Sequence, residues 1–268
     1  MMSDLDASAP LSCAQEGLWL LDRLHPGQSR YNEAHALVLL GALDRQALER
    51  ALAAIVDRHA PLRTRVAFED GEPRQRIASH VDFKLEVDDL RSLVPDARDD
   101  EARLRATREA RRPFDLAVAP LLRARLLVLG DDRHWLLLTA HHIALDGWST
   151  VVLARELEAC YGAFRAGEPA PAAALPTSYA AFAAGQRARV EGGELKGSIA
   201  WWSRELDGLQ ALALPLDRPH EALVDSAGAS VRFELDAGLA GRLAALARRA
   251  RATPFMTLLL SASAARWV

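Results

Sequence analysis

The 268-residue chain is half hydrophobic and carries a formal net charge of −3 at pH 7. This near balance of charge excludes the basic footprint of a nucleic-acid-binding protein, and the apolar content excludes a disordered chain. The two cysteines suit a reducing compartment. The acidic N-terminus lacks the apolar core of a secretory signal, and no apolar run exceeds strand length. We therefore expect a cytoplasmic protein with neither membrane nor nucleic-acid partners.

The first half of the chain alternates between strand and helix patterns. Residues 34–40 form an apolar run of strand length, and Asp44 then provides an N-cap for a helix that Pro61 ends. Two pairs of apolar runs joined by short polar turns predict hairpins, at 62–68 with 73–77 and at 121–129 with 134–140. A charged helix is predicted between the hairpins, at 96–111.

The second half is mainly helical. A helix is predicted at 148–164 with Ser149 as its N-cap, followed by a Pro- and Ala-rich linker at 167–176. The remaining predicted elements are helices at 179–191 and 195–206, a strand at 230–235, and helices at 238–251 and 254–267. Because hairpins force antiparallel pairing, the pattern predicts an α/β (α+β) fold, with a mixed sheet covered by helices rather than a Rossmann arrangement.

The segment His141-His142-Ile-Ala-Leu-Asp146-Gly147 directly follows the predicted strand at 134–140. An apolar strand that ends in polar, proton-carrying groups is typical of an active site on a rigid scaffold. A histidine can exchange a proton near neutral pH, an aspartate can fix a loop through an arginine, and a glycine permits close backbone approach. The segment therefore predicts proton-transfer chemistry.

Two other kinds of site have little support. His-x3-Asp can be half of a metal site, but the other histidines are scattered and Cys13 and Cys160 form no CxxC pair. Adjacent strand residues also point to opposite faces, which prevents His141 and His142 from chelating one ion, so we expect no metal. The sequence has no GxSxG elbow, and neither cysteine has the context of a nucleophile.

Four motifs, in order along the chain, resemble those of condensation domains of nonribosomal peptide synthetases, which are similar to the chloramphenicol acetyltransferase superfamily. They are LSCAQEGLW at 11–19 with LHP at 24–26 and YN at 31–32, RHAPLRTRV at 58–66, HHIALDGWS at 141–149, and LPLDRP at 214–219. A fifth family element, YxDYAxWQ, is only partly matched, by YAAFAAGQ at 179–186. The resemblance implies a chloramphenicol acetyltransferase-like fold.

The resemblance also implies a division of the chain. It gives an N-terminal subdomain at 1–166, a linker with bridging helices at 167–228, and the beginning of a C-terminal subdomain at 229–268, whose later strands, floor loop and latch are missing. Residues 1–10 precede the first motif, so if Met1 is the true start, we expect the donor carrier to arrive from another polypeptide. We expect residues 1–268 alone to be inactive and prone to aggregation, because apolar side chains of the last helix lack a sheet to pack on. These are Leu258, Leu259, Leu260, Ala264 and Trp267.

The reaction that the resemblance implies is amide formation. The amine of an aminoacyl group on a downstream peptidyl carrier protein attacks the thioester of an aminoacyl or peptidyl group on an upstream carrier. No cofactor is expected to bind directly, since the phosphopantetheine arms of the carriers present both substrates. Because thioester aminolysis is downhill, the enzyme mainly positions the amine and handles a proton.

The resemblance gives His142, His141 and Gly147 as catalytic candidates. His142 is expected to face the amine, as a general base or as a positioning acceptor, whereas His141 is expected to pack or hydrogen-bond locally. Gly147 can present its backbone N–H to the thioester carbonyl. We predict that Asp146 is buried and paired with Arg63, or alternatively with Arg58, because a buried carboxylate requires a cationic partner.

Three functions stay open from the sequence. The first is a condensation domain that accepts an L-configured donor, because the opening motif and HHIALDGWS are intact. The second is a superfamily acyltransferase that moves an acyl group from a carrier or coenzyme A to a small alcohol or amine. The third is an inactive fragment.

Overall fold

A computed structural model describes residues 7–171, 175–210 and 233–264. The chain divides into two compact units, residues 1–212 and 213–268. The subdomain boundary predicted between 228 and 229 and the motif at 214–219 both lie outside the described residues. That boundary therefore stays a prediction.

The described part of the first unit contains seven strands and six α-helices. In chain order they are β1 (Ala7–Pro10), α1 (Cys13–Leu24), β2 (Asn32–Leu40), α2 (Arg45–Arg58), β3 (Thr64–Glu69), β4 (Glu72–Ile77), β5 (Glu86–Asp89), α3 (Pro95–Arg111), β6 (Leu122–Val128), β7 (Arg133–His141), α4 (Gly147–Arg165), α5 (Tyr179–Glu191) and α6 (Lys196–Glu205). A short 3-10 helix, Ala60–Arg63, links α2 to β3. The second unit contains α7 (Ala237–Arg249) and α8 (Pro254–Ala264).

A four-stranded mixed sheet with the order β2-β7-β6-β5 lies at the centre of the first unit. β7 pairs antiparallel with both β2 and β6, and β5 pairs parallel with β6. The predicted hairpin of β6 and β7 is therefore confirmed, and so is the prediction of a mixed sheet covered by helices.

Helices cover both faces of this sheet. On one face, α2 and α4 pack together over the largest apolar core, and α4 buries Leu153, Leu157 and Cys160 at helical spacing. On the other face, α3 packs beside a smaller core that contains Leu127 and Leu137. Each fully buried aliphatic side chain contributes about 1.5 to 3 kcal/mol, so the α2 and α4 face stabilises the unit most.

A second sheet has three antiparallel strands in the order β1-β4-β3. It confirms the predicted hairpin of β3 and β4, whose turn contains Asp70 and Gly71, both with positive φ. Val66 of β3 shares a small apolar core with Leu11 and Ile143. This core fixes the loop after β7 to the beginning of the chain.

Most predicted helices are confirmed, with differences of a residue or two at their ends, but two predictions are wrong. The N-cap of α4 is Asp146 rather than Ser149, because the helix begins at Gly147. Residues 233–235, predicted as the end of a strand, are not in a strand, and the described part of the second unit has no strand with which they could pair. The rest of that prediction, 230–232, lies outside the described residues.

The expectation of apolar exposure on the last helix agrees with α8, in which Leu258, Leu259 and Leu260 are exposed. Nothing is described of the Ala264 side chain or of Trp267. Within the described ranges, no helix combines the length and the apolar character needed to cross a membrane.

Candidate active site

His141 is the last residue of β7 and His142 follows it directly, and the two side chains lie on opposite faces of the central sheet, as predicted. Leu138 and Ala140 lie in the core beneath α2 and α4, and strand alternation continues this series to His142. Leu137 belongs to the core on the other face, and His141 continues that series. The His142 imidazole therefore lies on the face covered by α2 and α4, and the His141 imidazole lies on the opposite face.

His141 is buried, with only 3% of its surface exposed. Its Nδ1 accepts the Ile143 N–H at 3.1 Å, which places the proton of the neutral ring on Nε2. The Phe114 ring meets it edge-on, with 6.2 Å between the ring centroids. Burial, reinforced by the neighbouring His142, lowers the pKa of His141 to about 4. These contacts agree with the local packing role expected for it.

His142 lies on the other face and lines a cavity of about 240 Å³. Its backbone N–H donates to the Tyr31 carbonyl at 2.8 Å, which extends the pairing of β2 and β7 by one residue. Its side chain is 35% exposed, and its Nδ1 lies 3.1 Å from Oε1 of Glu33. A half-buried imidazole beside a cavity is placed to exchange a proton with a bound molecule.

The cavity is bounded by the loop at 142–146, the first two turns of α4, the 3-10 helix after α2, and the beginning of α5. An apolar pocket with a few convergent polar groups is typical of a site for a small molecule. The polar lining residues are His59, His142, Asp146, Ser149 and Tyr179. The apolar ones are Pro61, Leu62, Ile143, Ala144, Leu145, Trp148, Val152 and Leu153.

A charged cluster ties the end of α2 to α4 at one wall of the cavity. Glu156 of α4 lies 2.6 Å from Nε2 of His59 and 3.0 Å from Nε of Arg58. All three side chains are largely buried, so these contacts are partly shielded from water. Arg58, the alternative partner predicted for Asp146, is therefore engaged by Glu156 instead.

The predicted buried pair of Asp146 and Arg63 is wrong. Asp146 is exposed, and its Oδ1 accepts the Ser149 N–H at 2.8 Å and the Ser149 hydroxyl at 2.7 Å. These hydrogen bonds from Ser149 lower the pKa of Asp146. Arg63 donates instead to three backbone carbonyls at the end of α2 and just after β4. An exposed carboxylate needs no cationic partner, because the unpaired N–H groups at a helix start supply its hydrogen bonds.

Gly147 is the first residue of α4. Its neighbours Asp146 and Trp148 line the cavity, but Gly147 itself does not. The N–H groups of a first helical turn have no partner within the helix, and Asp146 accepts only that of Ser149, so the Gly147 N–H can serve as a donor. The contact of the Gly147 N–H with a thioester carbonyl stays a prediction.

The opening motif at 11–19 is hydrogen-bonded to the loop that follows β7. Ser12 and Gln15 form a capping box at the start of α1, and the Gln15 side-chain amide donates to the Ile143 carbonyl at 3.2 Å. The Ser12 hydroxyl lies 2.9 Å from the hydroxyl of Tyr179, which also lines the cavity. The first and fifth motifs thus meet at the site.

No metal centre is evident in the part of the chain that the structure describes. Among those residues, no three His, Cys, Asp or Glu side chains are grouped so that they could hold an ion. The expectation that the protein needs no metal stays a prediction.

Two groups at the site were not predicted from the sequence, namely Glu33 and the cluster around Glu156. The signal for Glu33 is the pairing of β2 with β7, in which Asn32 lies opposite His141. That register places Glu33 near His142, but it joins strands that are about a hundred residues apart in the chain. Glu156 depends on the packing of α2 against α4, for which the sequence carries no local signal.

Comparison with known proteins agrees with this fold. The family model described as "Condensation domain" matches residues 6–265. A linear gramicidin synthase component of Brevibacillus parabrevis is 41% identical over 255 residues, which cover 95% of this chain and 5% of that protein. The phosphinothricin tripeptide synthetase PhsC of Streptomyces viridochromogenes is 41% identical over 257 residues, which cover 96% of this chain and 24% of that protein. The chain thus spans only a small part of these relatives.

Two solved structures are similar in fold. A chain in the complex of the X-domain and OxyB from teicoplanin biosynthesis is 31% identical, with a TM-score of 0.76 over 92% of this chain and 55% of that one. The first condensation domain of the calcium-dependent antibiotic synthetase, in complex with a substrate analogue, is 26% identical, with a TM-score of 0.69 over 76% of this chain and 49% of that one. The chain spans about half the length of these structures, and the predicted chloramphenicol acetyltransferase-like fold is confirmed. The protein belongs to the condensation domain family of nonribosomal peptide synthetases.

Proposed function

We propose that this chain contributes the catalytic face of a condensation domain that joins two carrier-bound acyl groups through an amide bond. The observation that carries the proposal is His142, a half-buried imidazole at the end of a buried strand and on the wall of a largely apolar cavity. The family motif HHIALDGWS surrounds it. The two substrates are an aminoacyl or peptidyl thioester donor and an aminoacyl acceptor.

The reaction requires one bond to form and one to break. The lone pair of the acceptor amine attacks the donor thioester carbonyl, the new C–N bond forms, and the C–S bond breaks to release the donor thiol. The proton that the amine loses passes to His142 when the imidazole acts as the base, and from His142 to the sulfur that leaves, so that a thiol is released and the imidazole is neutral again. A positioned base contributes roughly 10² to 10⁴ in rate. Holding both groups in reacting geometry contributes about 7 to 11 kcal/mol at best, so positioning is the larger effect.

We propose that upstream and downstream peptidyl carrier proteins deliver these groups on phosphopantetheine arms. Membership in the condensation domain family supports this, because the similar proteins are peptide synthetases. The apolar lining suits acyl side chains and excludes water, which would otherwise compete with the amine for the thioester. Localisation in the cytoplasm, where such carriers are found, follows as part of the same proposal.

The test uses a complete condensation domain that contains this chain, because residues 1–268 alone are expected to be inactive. It is mixed with two purified peptidyl carrier proteins, one loaded with an N-acetylated aminoacyl group and the other with a free aminoacyl group. A panel of amino acids is loaded on each, because the cavity does not identify the side chains. Mass spectrometry should show that the acceptor carrier gains the mass of the donor acyl group while the donor arm returns to a free thiol. An acceptor whose amine is acetylated serves as the control and should gain nothing.

Two results would contradict the proposal. One is the absence of amide product from every donor and acceptor pair. The other is transfer of the acyl group to a small added alcohol in preference to the carrier-bound amine, which would favour the superfamily acyltransferase.

A further inference from the structure

Glu33 lies on the same face of the central sheet as His142. In the pairing of β2 with β7, Glu33 is opposite Ala140, and His142 is two residues beyond Ala140. Diagonal neighbours on one face of an antiparallel pair are about 7 to 8 Å apart at the backbone, within reach of long side chains. Leu37 and Leu39 follow on the same inward face of β2 and pack against the main core. The register of two strands therefore directs this carboxylate toward the imidazole.

The two side chains meet at one particular nitrogen. Oε1 of Glu33 lies 3.1 Å from Nδ1 of His142, and both side chains are 35% exposed. Nδ1 itself is sealed from solvent, and no atom of the described residues completes an aligned hydrogen bond with it. The contact is thus a close approach of the Glu33 carboxylate to Nδ1 of His142 in which the hydrogen bond is not aligned. The other carboxylate near the motif, that of Asp146, is already engaged by Ser149.

We propose that Glu33 is a positioning residue that holds the proton of the neutral His142 ring on Nδ1. A carboxylate can only accept a hydrogen bond, so it favours the form in which Nδ1 carries the proton. Nε2 then keeps its lone pair for the cavity, where it can take a proton from the attacking amine. A carboxylate that fixes the tautomer of a catalytic imidazole has the same role in hydrolases with a Ser-His-Asp triad. This assignment rests on the function proposed above.

The most direct test is the tautomer of His142, which a purely structural role for Glu33 would not change. Long-range proton–nitrogen correlation spectra of protein labelled with 15N-histidine distinguish a ring protonated on Nδ1 from one protonated on Nε2. The chain has eight histidines, so the His142 signals are identified by their loss in His142→Ala. The spectra are recorded over a series of pH values, and the tautomer is read on the alkaline plateau where the ring signals no longer change.

Three variants are compared with the unaltered protein. Glu33→Val removes the carboxylate and keeps a residue that suits a strand, and Glu33→Gln keeps the shape and an amide oxygen that can accept from Nδ1. Glu72→Val is the matched control, because it removes a carboxylate from an exposed strand position. Protonation on Nδ1 is expected in the unaltered protein, in Glu72→Val and in Glu33→Gln, and its loss is expected in Glu33→Val. The same tautomer in all four, or protonation on Nε2 in the unaltered protein, would overturn the proposal.

Amide formation provides the second measurement. Glu33→Val should lower kcat by about 10-fold or more, with KM within about 2-fold, because a general base acts in the transition state. Glu33→Gln should stay within about 3-fold of the unaltered protein, because it keeps the acceptor. If the unaltered protein forms the amide and the two Glu33 variants are equally active, the positioning role is wrong. If the tautomer depends on Glu33 but no amide is formed by any protein, the proposed function fails while the contact stands.

Discussion

His141 and His142 are identical and adjacent, yet they occupy opposite environments. His141 is enclosed on one face of the sheet, accepts a backbone N–H, and has a pKa lowered to about 4. His142 lies on the other face, beside a cavity, with Glu33 at its Nδ1. The difference teaches that strand alternation can place one of two adjacent imidazoles in a packed interior and the other beside a cavity. It predicts that changes on the cavity face alter rate, whereas changes on the His141 face alter stability.

Among changes that leave both histidines in place, the largest effect is expected from filling the cavity on the His142 face. Val152 lines the cavity, and its neighbour Val151 on the same helix is 47% exposed and does not. Val152→Trp should lower the rate of amide formation by about 10²-fold, because displacement of a substrate by about 1 Å has a cost of that size. Val151→Trp is the matched control and should keep most of the rate. Equal losses in both variants would show that the cavity is not the reaction site.

On the opposite face, His141→Ala should destabilise the fold. The substitution leaves a cavity beside Phe114 and removes the acceptor of the Ile143 N–H, so we expect a loss of about 3 kcal/mol in the free energy of unfolding. Denaturant unfolding followed by circular dichroism measures it. His80→Ala, which alters an exposed histidine, should change the same quantity by about 0.5 kcal/mol or less. A stable His141→Ala protein with normal folding would contradict the structural role.

The pH dependence of the free energy of unfolding should also reveal the burial of His141. Burial lowers the pKa of His141 from 6.5 to about 4, so between these values the unfolded chain binds a proton that the folded protein rejects. The stability linked to the neutral ring is complete above pH 6.5 and is lost progressively as the pH falls to about 4. The loss should approach about 3 kcal/mol, because each pKa unit corresponds to about 1.4 kcal/mol.

The comparison is between the unaltered protein and His141→Ala over that pH range. All other titrating groups are shared, so the difference between the two unfolding free energies isolates His141. That difference should shrink by about 3 kcal/mol on acidification. Parallel curves from pH 7 to pH 4 would mean that the ring titrates alike in the folded and unfolded states.

The smallest effect concerns Asp146, which the structure places in solvent as the N-cap of α4. Asp146→Ala should cost about 1 kcal/mol of stability, the typical value of a cap, whereas breaking a buried ion pair would cost about 3 to 5 kcal/mol. Asp146→Ser keeps a capping oxygen and should restore most of the loss. A loss of several kcal/mol in both variants would contradict the role of Asp146 as an exposed N-cap.

Most of the elements, but not β1, α1 or β5, and the separation of the two histidines could be predicted from the sequence, because they depend on local patterns. Alternation along β7 and helical spacing along α2 each repeat within a few residues, and four motifs occur in family order. The role predicted for Asp146 is wrong, and the reason is also local. Asp146 and Ser149 have the spacing of an N-cap residue and the residue whose N–H it accepts. Because Asp146 belongs to the active-site motif, the sequence favours a buried carboxylate instead.

The partners of the charged residues could not be predicted, because they depend on tertiary packing. Arg58 is engaged by Glu156 only because α2 packs against α4. Glu33 reaches His142 only because β2 pairs with β7 in one register, and a slip of one residue would direct Glu33 to the other face. Such contacts join segments about 100 residues apart, and neither segment alone indicates the other.

The most direct test of the account compares the two histidines by rate and by stability in the same proteins. His142→Ala should lower single-turnover amide formation by roughly 10² to 10⁴, with the free energy of unfolding changed by about 0.5 kcal/mol or less, because its ring is partly exposed and lies outside the packed core. The chemical step is followed by mass spectrometry of the acceptor carrier, and stability by denaturant unfolding. Undiminished amide formation in folded His142→Ala would contradict the central claim that this imidazole carries the chemistry.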